Sequence, residues 1–131
     1  MPNPTSSMRF STADTFIRAA MSGLAARQRA IANNVANVDT PNFKAAEVRF
    51  EDTLRAAIAD RRRGAAPNQG DLDAAARRQT LVTGTQVRGD GNNVDIEREM
   101  ELLGETSLTY SALTQAMSTR LGILRSVVAG R

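Results

Sequence analysis

Apolar residues recur near the start of the chain at Ile17, Met21, Leu24, Ile31, Val35 and Val38, with Gln28 in the one polar place of the register. The steps alternate between four and three, which predicts an α-helix over about 12–37 with one heptad-like seam. At about 1.5 Å per residue it would run for about 40 Å. A second seam passes through Ile96, Met100, Leu103, Tyr110, Met117, Leu121, Leu124 and Val128, with Ser107 and Thr114 as its polar places. Asp95, Glu97, Glu99, Glu101 and Glu105 crowd the start of that second helix, and Arg120 and Arg125 lie near its end, an order that complements the helix dipole. The acids read as a solvated helix start, although Glu97 and Glu101 share a face where a hard cation could sit. Gly104 and Gly122 lower local helix stability and permit close approach or bending.

Between the seams the periodicity changes. Thr40-Pro41 stops the first helix, because the residue before proline is pushed out of the helical region. Phe43 offers an apolar anchor. Phe50, Leu54 and Ile58 recur every four residues and predict a short helix over about 50–61, closed by Arg61-Arg62-Arg63-Gly64. From 64 to 93 the pattern fails among glycines and Pro67, with Leu81, Val82 and Val87 as a candidate extended segment. The predicted fold class is mainly α: long N- and C-terminal helices pair as a coiled-coil-like hairpin, with a short middle helix and a flexible, partly extended middle loop. One domain covers 1–131, divided into a flexible N-terminus at 1–10, an N-terminal helix at 11–39, a turn and short helix at 40–63, a mobile loop at 64–93 and a C-terminal helix at 94–129. Ser11 with Asp14 resembles a capping box at the start of the first helix. Periodicity alone does not say whether the seams meet within one chain or between copies.

Composition narrows the chemistry. The chain has 131 residues, with 41% hydrophobic but only 4% aromatic, which suits long helices packed side by side. Without cysteine or histidine there is no disulfide framework, no thiolate, and neither the commonest general base nor the commonest metal ligand. No catalytic, cofactor or metal site is expected, and no glycine-rich phosphate loop is present. No run is long and apolar enough to span a membrane, and the first ten residues lack a signal-peptide core. The net charge is +3, and Lys44 is the only lysine. Arg61-Arg62-Arg63 and Arg77-Arg78 could neutralise phosphates. Acids lie beside them and stacking aromatics are nearly absent, so a basic nucleic-acid-binding helical protein stays the alternative from a different class.

The most informative stretch is 32–44. Asn33, Asn34 and Asn37 crowd the end of the first helix, where asparagine competes with the backbone for hydrogen bonds. Ala32-Asn33-Asn34-Val35-Ala36-Asn37 followed by Thr40-Pro41-Asn42-Phe43-Lys44 resembles the N-terminal signature of the bacterial flagellar rod, hook and hook-associated axial proteins. There Asn42 replaces the usual glycine. The run from Lys44 through Phe50-Glu51 to Leu54, and Gly91-Asn92-Asn93-Val94-Asp95-Ile96-Glu97-Arg98-Glu99-Met100, are similar to segments of the basal-body proximal rod proteins of the FlgB type. The final helix and the length fit them as well.

The resemblance implies a structural subunit, not an enzyme, with another flagellar rod protein of the same family as the alternative within that class. It implies a drive shaft built helically from such subunits, which transmits motor torque and encloses the export channel. Partners implied are other copies, other rod proteins, the MS-ring-to-rod adaptor, and the flagellar type III export gate during secretion. Neither nucleic acid nor a small-molecule substrate is implied. The location implied is the rod of the basal body, in the periplasmic space, reached without a cleaved signal peptide. An export element of the form Phe-x-x-x-apolar is matched only loosely, at 16–20. The signature residues Ala32, Asn33, Asn34, Ala36, Asn37, Thr40, Pro41, Phe43 and Lys44 become the expected assembly site, with the asparagine amides fastening the helix end to a neighbour or to the C-terminal helix.

Overall fold

A computed structural model describes residues 12–65 and 68–130. The expected flexible N-terminus and Ser11 of the capping box lie outside the described residues. The elements run α1 (Thr12–Ala36), β1 (Ala46–Val48), α2 (Phe50–Arg62), α3 (Gln69–Ala76), β2 (Gln79–Leu81) and α4 (Ile96–Ala129). The strands pair antiparallel, with Glu47 opposite Thr80. The long helices α1 and α4 pack on each other, as the two seams predict.

α1 lies at the centre and is buried on two sides. Leu24 and Ile31 of its predicted seam are buried, while Ile17, Met21, Val35 and Val38 are half-buried. A second stripe of small residues, Ala19, Gly23, Ala26 and Ala30, leads to Asn34. Along it Ala26 and Ala30 join a core with Leu24, Val48, Phe50 and Ala76. Phe50 presses so closely on Gly23 that a β-carbon there would lie 2.4 Å from the Phe50 β-carbon. Arg27 reaches across the same side, stacking its guanidinium 4.6 Å from the Phe50 ring centre and donating to the Val48 carbonyl.

α4 meets α1 through a face rotated from the predicted seam. Leu103, Tyr110 and Met117 are half-buried as that seam requires. Glu99 and Thr106 are buried, and Leu102, Leu113 and Arg120 are half-buried beside them, whereas Ile96, Met100, Leu121, Leu124 and Val128 are exposed. Polar contacts set this rotation. Arg120 Nε lies 2.7 Å from Asp14 Oδ1 at one end of the helix pair, and Glu99 is bonded to Asn34 at the other. A seam drawn through large apolar residues misses a register fixed by charge and amide groups. A β-carbon at Gly104 or Gly122 would meet nothing within 4 Å, so among the described residues neither makes a close helix approach.

The segment 64–93, expected as a mobile loop, contains α3 and β2. Asn68 caps α3 by accepting from the Gly70 N–H, and Leu72 and Ala76 are buried against the rest of the fold. Two buried residues one turn apart hold a helix too short for periodicity to reveal.

Candidate assembly site at the asparagine junction

The turn after α1 is held by side-chain amides from both ends of the chain. A planar carboxamide carries two N–H donors and an oxygen acceptor without charge, so it can satisfy peptide groups that have no strand partner. Asn34 does this for β1. Its Nδ2 donates to the Ala46 carbonyl at 2.8 Å, and its Oδ1 accepts from the Ala46 N–H at 2.9 Å. The same Nδ2 donates to Glu99 Oε1 at 3.0 Å, so one amide joins α1, β1 and α4. It is 1% exposed.

Asn92 and Asn93 act from the other side. Asn92 Nδ2 donates to the carbonyls of Asn37 at 2.9 Å and Thr40 at 2.8 Å, groups of the turn after α1 that also accept the backbone N–H groups of Thr40 and Phe43. Its Oδ1 accepts from the Val94 N–H. Asn93 Oδ1 accepts from the Ala45 N–H at 2.7 Å, and its Nδ2 donates to the Val82 carbonyl. Lys44 Nζ donates to the Gly91 carbonyl. Asp95 then caps α4, accepting from the N–H groups of Glu97 and Arg98.

Asn42 stands at φ 61°, the left-handed backbone that glycine would otherwise supply, and its N–H donates to the Asp90 carbonyl. Gly91 faces it at φ 82°, and a β-carbon there would lie 2.4 Å from Asn42 Oδ1. Arg88 and Asp90 pair across this loop at 2.8 Å. That hydrogen bond lowers the Asp90 carboxyl below its ordinary value and raises the Arg88 guanidinium.

The expected site residues divide. Asn34 is buried, and Asn37 and Phe43 are half-buried. Ala32, Asn33, Ala36, Thr40, Pro41 and Lys44 are exposed. Of the three clustered asparagines, Asn34 reaches the C-terminal helix. Asn37 bonds locally, donating to the Asn33 carbonyl at 2.8 Å and accepting from Thr40 Oγ1. Asn92, Asn93 and Glu99 complete the junction without having been singled out from the sequence. Their signal lay in the 91–100 run, where two adjacent asparagines precede a helix, and in the mismatch between a solvated reading of Glu99 and its place on the helix. Glu97 and Glu101 are exposed, but Glu99 is 5% exposed. Burial is the main cause of its raised pKa, with Asp95 and Glu47 adding to the shift. The Asn34 hydrogen bond and Arg98 oppose it.

Two long terminal helices, clasped where the signature turn meets the start of the last helix, are the pairing that the resemblance to flagellar axial proteins implies. Residues 17–44 match the family model described as flagella basal body rod protein. The chain is 32% identical over 112 residues to the flagellar basal body rod protein FlgB of Bacillus subtilis (strain 168), an alignment covering 79% of this chain and 83% of that one. Against FlgB of Borrelia hermsii it is 41% identical over 104 residues, covering 70% and 76% of the two chains. Against FlgB of Escherichia coli (strain K12) it is 29% identical over 126 residues, covering 86% and 90%. The chain belongs to the FlgB family of flagellar basal body rod proteins.

Proposed function

We propose that the chain is a structural subunit of the proximal rod, whose copies stack helically into a shaft that transmits torque and encloses the export channel. The observation that carries this reading is the uncovered apolar stripe of α4. Ile96, Met100, Leu121, Leu124 and Val128 fall on the heptad-like seam, and all are exposed. They form two exposed apolar patches, one at each end of α4, and such patches mark interaction surfaces. Contact between either and a different surface of the next copy is heterologous, and such contacts propagate into filaments.

The junction has a complementary part. Its buried amides hold the turn rigid, and the exposed signature residues Ala32, Asn33, Ala36, Thr40 and Pro41 present that turn to a neighbour. The neighbours are other copies, other rod proteins and, at the base, the MS-ring-to-rod adaptor. The subunit reaches the periplasmic rod through the flagellar type III export gate, without signal cleavage. The family is one of structural rod proteins, and nothing favours a nucleic-acid partner for the arginine clusters.

The test replaces the stripe and leaves the α1 contact intact. Leu121→Ser with Leu124→Ser should give a helical, exported chain, cells without complete rods on imaging of basal bodies, and no swimming. Intact rods from that variant would remove the stripe from the assembly.

A further inference from the structure

A cavity of about 260 Å³ lies beside the junction, between α1, β1, the residues after β2 and the first turns of α4. Two of its lining residues carry a buried polar atom without a hydrogen-bond partner: Oε2 of Glu99 and Oγ1 of Thr85. Five carboxylates and three guanidiniums line it, so negative charge is in excess. The guanidiniums are already engaged, Arg27 with Glu51 and Arg49 and Arg98 with Glu47. Glu99 and Glu105 have no ion pair among the described residues. A buried carboxylate oxygen without a donor is costly, and its natural complement is a charged N–H group.

The chain carries such groups at a distant place. Glu51 lines the cavity from the first turn of α2, while Arg61, Arg62 and Arg63 are exposed at that helix's far end. Over its 13 residues α2 spans about 20 Å. The acidic cavity and the basic cluster are therefore the head and tail of one rigid element and do not meet within one chain.

We propose that this cavity receives an arginine of the 61–63 cluster from a second copy of this chain, which bonds Glu99 and Glu105 and links the copies head to tail. The inference rests on the assembly reading above and adds a defined contact to it. A guanidinium has five N–H donors in a planar fork, enough for both carboxylates and the Thr85 hydroxyl. It also brings positive charge to a carboxyl whose ionised form is disfavoured first by burial and then by Asp95 and Glu47, and favoured by the Asn34 hydrogen bond and by Arg98. Cavity and cluster are different surfaces, so a contact between copies stacked in the same orientation is heterologous and continues from copy to copy.

Variants of the full chain test it. Arg61→Glu with Arg62→Glu and Arg63→Glu alters only exposed residues. It should leave the purified chain as helical as before and abolish rods, whereas the corresponding lysine variant should retain them; normal rods from the glutamate variant would overturn the contact. The native chain has no cysteine, so Arg62→Cys with Glu105→Cys puts its only two thiols on the two sides of this contact; Arg62→Cys or Glu105→Cys alone should give no dimer, and a dimer from either would overturn the assignment. Oxidation of isolated basal bodies carrying both should give a ladder at two, three and more chain masses. No ladder, or a dimer band without higher rungs, would overturn head-to-tail docking. Absence of the unaltered chain from isolated basal bodies would overturn the assembly reading with it; its presence without a ladder would overturn the docking alone.

Discussion

Asn34 and Glu99 stand 65 positions apart in sequence and 3.0 Å apart through Nδ2 and Oε1. Asp14 and Arg120 make the matching contact at the other end of the helix pair. The two contacts run antiparallel and fix which face of α4 meets α1. The junction thus sets the register of the hairpin, and that register decides which apolar residues remain outside.

Asn34→Ala should be among the most damaging single changes in the chain. It removes three hydrogen bonds and leaves the Ala46 N–H, the Ala46 carbonyl and Glu99 without that partner. The expected loss is about 2–4 kcal/mol, because buried groups lose partners and water does not replace them. Asn37→Ala breaks bonds that are exposed and local, and should cost about 0.5–1 kcal/mol. Urea unfolding followed by circular dichroism compares the two. Equal losses would show that the amide cluster acts as a simple helix end.

Glu99 gives the hairpin a pH dependence of a definite sign. Its pKa is raised above the ordinary 4.5 on folding, chiefly by burial. The folded chain therefore holds this proton more tightly than the unfolded one. The associated stability is fully present below the ordinary value and is lost as pH rises through the raised one. Glu99→Gln keeps an oxygen for Asn34 and cannot ionise. It should match the native chain in acid and exceed it in stability at neutral pH, giving a flatter profile. Greater stability of the native chain at pH 7 would show that another group pairs with the ionised carboxylate in solution.

The turn should respond to glycine in opposite ways at its two facing positions. Asn42→Gly relieves a side chain held at φ 61° and should stabilise by about 0.5–1 kcal/mol. Gly91→Ala places a β-carbon 2.4 Å from Asn42 Oδ1 on backbone at φ 82°, and should destabilise. Combining Gly91→Ala with Asn42→Gly removes the collision and leaves only the backbone strain. Thermal unfolding of the three variants separates the two costs, and additive effects would count against direct contact.

Much of this architecture was legible because it is periodic. The α1 seam, the short helix from Phe50 and the last helix all repeat over several turns, and proline at 41 stops the first of them. The signature was legible as three asparagines where a helix should avoid them. What could not be read was the division of labour among those amides. Asn34 faces inward and Asn33 outward although they are adjacent, since one step rotates a helix by about 100°. The buried state of Glu99 was hidden by its acidic neighbours, which are solvated. The small-residue stripe of α1 was invisible to a search for large apolar side chains, because alanine and glycine pack by letting other groups come close.

That last point gives a prediction that separates the folded chain from its assembly. At Gly23 a β-carbon would lie 2.4 Å from the Phe50 β-carbon and 2.5 Å from its γ-carbon. The Phe50 β-carbon is fixed to the backbone and cannot swing away without moving α2. Gly23→Ala should therefore destabilise by about 1–3 kcal/mol, more than the better helix propensity of alanine returns. Gly104 and Gly122 on α4 meet nothing within 4 Å. Alanine there should stabilise the isolated chain by about 0.5–1 kcal/mol each. In the rod the outcome depends on where the next copy lies. If a neighbouring helix lies against either glycine, alanine holds it off, and rods become scarce although the subunit is more stable. Thermal unfolding of the purified chain together with a count of complete rods per cell makes the comparison. A gain in stability with unchanged rods would place both glycines on the outer surface of the shaft.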